Sequence, residues 1–166
     1  MTQSSDERVG RFRQGRLVNG RPEALHTWRM TTDSVEVASR VTSLLGSQPQ
    51  PDGVSGEQEH DILTERDSVR VILDGPDAVV TRMILRGHKG LIHECNGSEF
   101  LSPEKEKGQP CGCPPRLEDQ KAAARTGRGP TPSIDITFRI AADSTLGEFQ
   151  FLTGSWQMAA QVTDLT

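Results

Sequence analysis

The sequence predicts an α+β fold, a mainly antiparallel sheet with two or three short helices. Three observations lead there. Residues 133–140 alternate strictly, with Ile134, Ile136, Phe138 and Ile140 set against Asp135, Thr137 and Arg139, the period of a half-buried strand. Val37, Ala38, Val41, Leu44 and Leu45 recur at helical intervals instead. The connections between strand-like blocks are mostly short turns, which join antiparallel neighbours but cannot make parallel crossovers.

Taken in order, residues 1–24 read as a basic N-terminal arm preceding a single α+β domain over residues 25–166. Arg8, Arg11, Arg13, Arg16 and Arg21 occur with no acidic residue between Arg8 and Arg21, and Gly10, Gly15 and Gly20 interleave them against a regular helix. Such an arm is either a solvated terminus or a segment that orders on DNA or on an acidic partner, with Arg11, Arg13 and Arg16 as its partner-binding residues. Residues 25–30, around Trp28, form a first strand. A helix over 33–45 starts at Asp33 or Ser34, with Asp33 and Glu36 at capping-box spacing, and stops at Gly46.

Residues 46–59 make a polar loop with almost nothing to bury. Two apolar blocks, 60–64 and 68–73, suit a hairpin across Glu65-Arg66-Asp67. Asp74-Gly75-Pro76-Asp77 is a turn into a strand at 78–86, and Gly87-His88-Lys89-Gly90 turns that strand into 91–95. A cysteine loop fills 95–114. Pro114-Pro115 opens a short helix that ends near Gly127. After the alternating strand, residues 147–152 supply a hairpin partner, and Ser155 caps a last helix carrying Trp156, Ala159, Ala160 and Val162.

Composition narrows the function. The 166 residues suffice for one domain with a real core. Apolar residues are 33%, and 16 glycines with 10 prolines require extensive loops. A net charge of −4 disfavours a protein that grips DNA unaided, since phosphate neutralisation supplies most of such affinity; a protein partner fits better. No apolar run is long enough to span a membrane. No apolar leader region precedes the polar start, and three cysteines make no secreted disulfide framework. The expected compartment is a reducing cytoplasm.

Those cysteines are the main chemical candidates. His93 and Cys95 lie two apart in a strand and so face one side. Cys111 and Cys113 bracket a Pro-flanked, glycine-centred turn. His93, Cys95, Cys111 and Cys113 would make a closed tetrahedral Cys₃His site, a structural zinc site with no open position for catalysis. His88 is a spare fourth ligand, and three free thiols are the alternative. The zinc-deaminase pattern is excluded, because Glu94 adjoins the histidine instead of lying two residues away and the cysteine pair is one residue too close. No phosphate-binding loop, dinucleotide fingerprint or nucleophile elbow occurs, so no enzyme is expected.

Several collinear blocks carry a family resemblance. They are Gly10-Arg11-Phe12-Arg13-x-Gly15-Arg16 with Asn19-Gly20-Arg21-Pro22-Glu23-Ala24, Val71-Ile72-Leu73-Asp74-Gly75-Pro76, Lys107-Gly108-Gln109-Pro110-Cys111-x-Cys113-Pro114, and Leu146-Gly147-x-Phe149-x-Phe151-x-x-Gly154-Ser155-Trp156. From Gly10 to about Ala160 the chain resembles the recombination directionality factors that actinophages encode to control their large serine integrases. The resemblance implies a non-enzymatic switch in the bacterial host cell. Such a factor binds a phage serine integrase and meets DNA indirectly through it. It favours recombination of attL with attR (excision) over attP with attB (integration). Relatives carry a further cysteine after the Cys-x-Cys helix, where this chain reads Gly129-Pro130-Thr131, so His93 or His88 is left to complete a metal shell. They also continue past the position of residue 166, which leads us to expect a further C-terminal segment. A single-stranded DNA-binding or annealing accessory protein is the competing reading.

Overall fold

The structure, a computed structural model, describes residues 8–54, 56 and 58–163. Nine strands and three α-helices are assigned within them. The described residues group into two compact units, unit 1 comprising the chain up to Ala78 with Ile136–Phe151, and unit 2 comprising Val79–Asp135 with the chain from Leu152 onward.

Unit 1 begins where a basic arm was expected. Residues 1–7 of that arm lie outside the described residues, but Arg8–Val18 is a regular strand, β1, and Arg21–Thr32 is β2. Phe12 explains the difference. It is 2% exposed and lies across from Met30 of β2, so Gly10 and Phe12 face the core while Arg11 and Arg13 take the other face. Gly10 serves this packing. A Cβ at Gly10 would come within 3.0 Å of the Phe149 ring and 3.1 Å of Met30 Sδ. Asn19 and Gly20, both at positive φ, turn β1 into β2.

Helix α1 (Val35–Leu45) starts on Ser34, whose Oγ accepts from the Val37 amide. Asp33 is not its cap; its carboxylate accepts from the Glu59 amide. Val37, Ala38, Val41 and Leu45 are the buried face of the helix. The expected 60–73 hairpin does not form. β3 (His60–Leu63) pairs antiparallel with β2, whereas β4 (Val71–Ile72) pairs with the end of β8 (Thr131–Ile140). A buried ion pair holds β3 in place, with Arg29 NH2 2.7 Å from Asp61 Oδ2.

Strand β9 (Glu148–Thr153) lies beside β8 as expected, after an intervening run of 3-10 turns, Ala141–Leu146. Its other edge pairs parallel with β1 through Gly10↔Phe149 and Phe12↔Phe151, so the sheet is mixed. The order through unit 1 is β3-β2-β1-β9-β8.

In unit 2, β5 (Val79–Gly87) and β6 (Gly90–Cys95) form the expected hairpin. The cysteine loop contributes an unexpected short strand, β7 (Phe100–Ser102), antiparallel to β6. The first part of β8 runs beside β5, where Thr131 Oγ1 donates to the Ile84 carbonyl at 3.3 Å. Helix α2 (Leu117–Arg125) begins after the proline pair. Ser155 Oγ accepts from the Met158 amide at the start of α3 (Trp156–Thr163). Among the described residues no helix is long and apolar enough to cross a membrane.

Candidate metal centre

His93 and Cys95 project from one side of β6, whose partner residues on β5 are Leu85 and Met83. Cys95 is fully buried. The chain then turns tightly at Asn96, whose side-chain oxygen accepts from the amides of Ser98 and Glu99. The turn directs the Gly97 amide at Cys95 Sγ, 3.4 Å away. An N–H aimed at sulfur favours the thiolate over the thiol, and this contact partly offsets the burial that pushes the Cys95 thiol up.

The second pair is brought back by backbone pairing. The Phe100 amide donates to the Gln109 carbonyl, and the Cys111 amide to the Ser98 carbonyl at 3.0 Å. Gly112 takes φ +77°, which lets the two flanking cysteines turn toward one point. Gln120 of α2 donates to the Pro114 carbonyl at 2.8 Å and anchors the far side of the loop. The His93 ring packs against Phe100, centroids 5.0 Å apart.

As a result the ligand atoms of His93, Cys95, Cys111 and Cys113 all lie within 4.8 Å of one another. Cys95 Sγ is 3.7 Å from Cys113 Sγ, and Cys113 Sγ is 3.5 Å from His93 Nε2. A tetrahedral zinc shell has Zn–S near ~2.3 Å and Zn–N near ~2.0–2.1 Å, which sets S···S edges of about 3.8 Å and S···N edges of about 3.6 Å. These two edges match. All three cysteines are free thiols, and the 3.7 Å between Cys95 and Cys113 sulfurs is far from a disulfide.

The electrostatics suit a soft cation. Burial is the main cause that pushes the Cys113 thiol up to about 12, with Cys111 and Cys95 adding to it. Burial also lowers His93, keeping its imidazole neutral and able to ligate. A divalent cation would reverse the preference of the thiols, because its charge stabilises thiolate. His88, the spare ligand, lies in the β5–β6 turn and is outside the cluster.

The arginines singled out from the sequence are built into unit 1. Arg11 donates twice to Gln150 Oε1, at 3.1 and 3.0 Å. Arg16, its side chain 9% exposed, binds Glu23 and Gln50. Gln50 in turn reaches Asp61, so Arg16 helps fasten the polar loop to β3. Arg13 is half-buried on the same strand.

A family model described as Gp3-like, recombination directionality factor-like, matches residues 8–165. The chain belongs to that family. Its members regulate recombination, and the matched region takes in both units and the whole Cys₃His cluster. No solved structure matches the chain.

Proposed function

We propose that this chain is a recombination directionality factor that binds a phage large serine integrase and switches it from integration (attP with attB) to excision (attL with attR). The observation that carries the reading is the family match across almost the whole chain. The chemistry agrees with it. Among the described residues the one cluster of potential metal ligands is a closed Cys₃His set, suited to structure and offering no open position for substrate. A swing in an integrase equilibrium from 1:99 to 99:1 takes about 5.5 kcal/mol of differential affinity, which a protein interface can supply without catalysis.

In this reading zinc occupies the cluster and staples the loop between β6 and α2, held by Cys95, Cys111, Cys113 and His93. Arg11 and Arg13 add cationic character to the integrase-facing surface, whereas Arg16 acts chiefly within the fold. DNA is met through the integrase. The factor works inside the bacterial host cell. Single-strand binding is disfavoured, since it needs aromatic rings on an open face. Here Phe12, Trp28, Phe138, Phe149 and Phe151 pack on one another instead.

The test is co-purification with the cognate integrase, followed by recombination of attL with attR in vitro. The expected result is a stable complex and excision products only when both proteins are present. Excision by integrase alone at the same rate, or no complex, would overturn the reading.

A further inference from the structure

Residues 65–77 of unit 1 make little contribution to the core. Val71, Ile72 and Leu73 are 37%, 37% and 44% exposed, three consecutive large apolar side chains on the surface. Isolated exposed apolar residues are ordinary, but a contiguous run marks a contact surface. β4 pairs with β8 on one edge, through Val71↔Ile140 and Ile72↔Arg139, and its other edge is paired with no described strand. An open edge beside exposed apolar side chains can accept an added strand.

Directly N-terminal to this strand is a groove of about 400 Å³. Leu44 and Val69 are its half-buried apolar walls, backed by the core residues Leu45 and Ile140, and it carries Arg66 and Arg70. No carboxylate lines it. Neither guanidinium makes an ion pair with a described residue, unlike Arg16, Arg29, Arg40, Arg82 and Arg139. Arg66 also borders a neighbouring depression with Glu65 and Asp67, so Arg70 is the less compensated of the two. Two cations beside half-buried apolar side chains, on the segment that leads straight into a strand with an unpaired edge, call for a ligand offering carboxylates, an apolar side chain and an extended backbone together. Nucleic acid supplies the anion but neither the apolar side chain nor the peptide hydrogen bonds.

We propose that this groove and the open edge of β4 form the docking site for an extended, acidic peptide segment with apolar side chains, supplied by the integrase. The proposal rests on the reading that an integrase is the partner. The segment adds as a strand on β4, sets an apolar side chain against Leu44 and Val69, and places its carboxylates at Arg66 and Arg70.

The experiment measures binding of the cognate integrase, without DNA, to the full chain and to three variants: Arg66→Glu/Arg70→Glu, Arg66→Lys/Arg70→Lys and Ile72→Lys. Melting curves establish that each variant is folded. The expected result is a loss of affinity on the order of tenfold or more for the glutamate pair, with a flatter salt dependence, near-complete retention for the lysine pair, and a loss for Ile72→Lys. Wild-type binding with no loss in the folded glutamate pair or in Ile72→Lys would overturn the docking site and leave the directionality reading standing. No wild-type binding would overturn both. A double-stranded att oligonucleotide serves as the second probe. Binding of that DNA alone, lost in the glutamate pair while integrase affinity is unchanged, would overturn the peptide assignment in favour of a phosphate groove.

Discussion

In unit 1 the aromatic rings form one cluster, Phe12 standing 5.4 Å from both Phe138 and Phe149, Trp28 4.9 Å from Phe151, and Phe138 stacked on Phe149 at 6.1 Å. In unit 2 the only ring pair among the described residues is His93 with Phe100, at the Cys₃His cluster. The buried apolar side chains divide the same way. Met83, Cys95, Ile134 and Ala159 belong to unit 2, and the remainder to unit 1. One unit therefore has enough apolar burial to hold its sheet. The other spends much of its length in loop and has a ligand set where a core would otherwise be needed. Small folds with too little core commonly solve this with a metal.

The comparison breaks most severely at Phe12. Phe12→Ala removes the ring at the junction of β1, β2, β8 and β9, and should destabilise unit 1 by about 3–5 kcal/mol, as buried aromatic truncations do. Urea denaturation followed by circular dichroism measures it. A loss below about 1 kcal/mol would mean that the rings do not form one cooperative core.

Removing Asp61 comes next. Asp61→Ala leaves Arg29, with its side chain 5% exposed, buried without its carboxylate, and should cost about 3–5 kcal/mol. Asp61→Asn, which keeps an oxygen acceptor, should cost less. Equal stability of both variants with wild type in chemical denaturation would show that Arg29 finds another counter-charge.

Metal removal sharpens the contrast between the units. Purified protein should contain close to one zinc per chain, and Cys113→Ser should lower that content. After chelation, amide exchange should accelerate in β6 and in residues 109–114, while β1 and β9 stay protected. Uniform exchange in both units, or none of this acceleration, would separate the cluster from stability. The pH dependence has a definite sign. Zinc takes thiolate, and burial holds the Cys95 and Cys113 thiols protonated without it, so binding releases protons and affinity rises with pH. His93 is held neutral by burial and adds a proton competitor only at lower pH. Zinc competition with a chromophoric chelator near about pH 6 and about pH 8 checks the direction.

The last test concerns Arg11 and Arg13 of β1, where the expected effect is on binding and not chiefly on folding. Arg11→Glu with Arg13→Glu removes both Arg11 bonds to Gln150, so melting curves first establish that the variant is folded; in the folded variant the integrase complex and its salt sensitivity should weaken. Affinity measured against salt, with and without DNA, separates the outcomes. Unchanged affinity throughout would exclude this face, and weakening confined to the DNA-bound complex would place it beside DNA.

Local periodicity by itself determined α1, the β5–β6 hairpin, β8 and α3, because spacing and caps act over a few residues. It also brought His93 and Cys95 to one side, since a strand repeats every two residues. The same sequence misled at β1. Glycines between arginines read as a flexible arm, yet Gly10 is the clearance that Phe149 and Met30 require beside Phe12. Nothing local announces that β1 will lie parallel to a strand well over a hundred residues later, nor that Arg29 will draw β3 away from β4 by pairing with Asp61. Those choices depend on burying Phe12 and on finding a counter-ion for a buried charge. The fourth member of the cluster was decided in the same manner. His93 and His88 are both close in sequence to Cys95, but only the strand geometry of β6 turns His93 toward Cys113, while His88 stays in the turn. Short-range pattern determines which elements can form; burial and charge pairing at long range determine which of them meet.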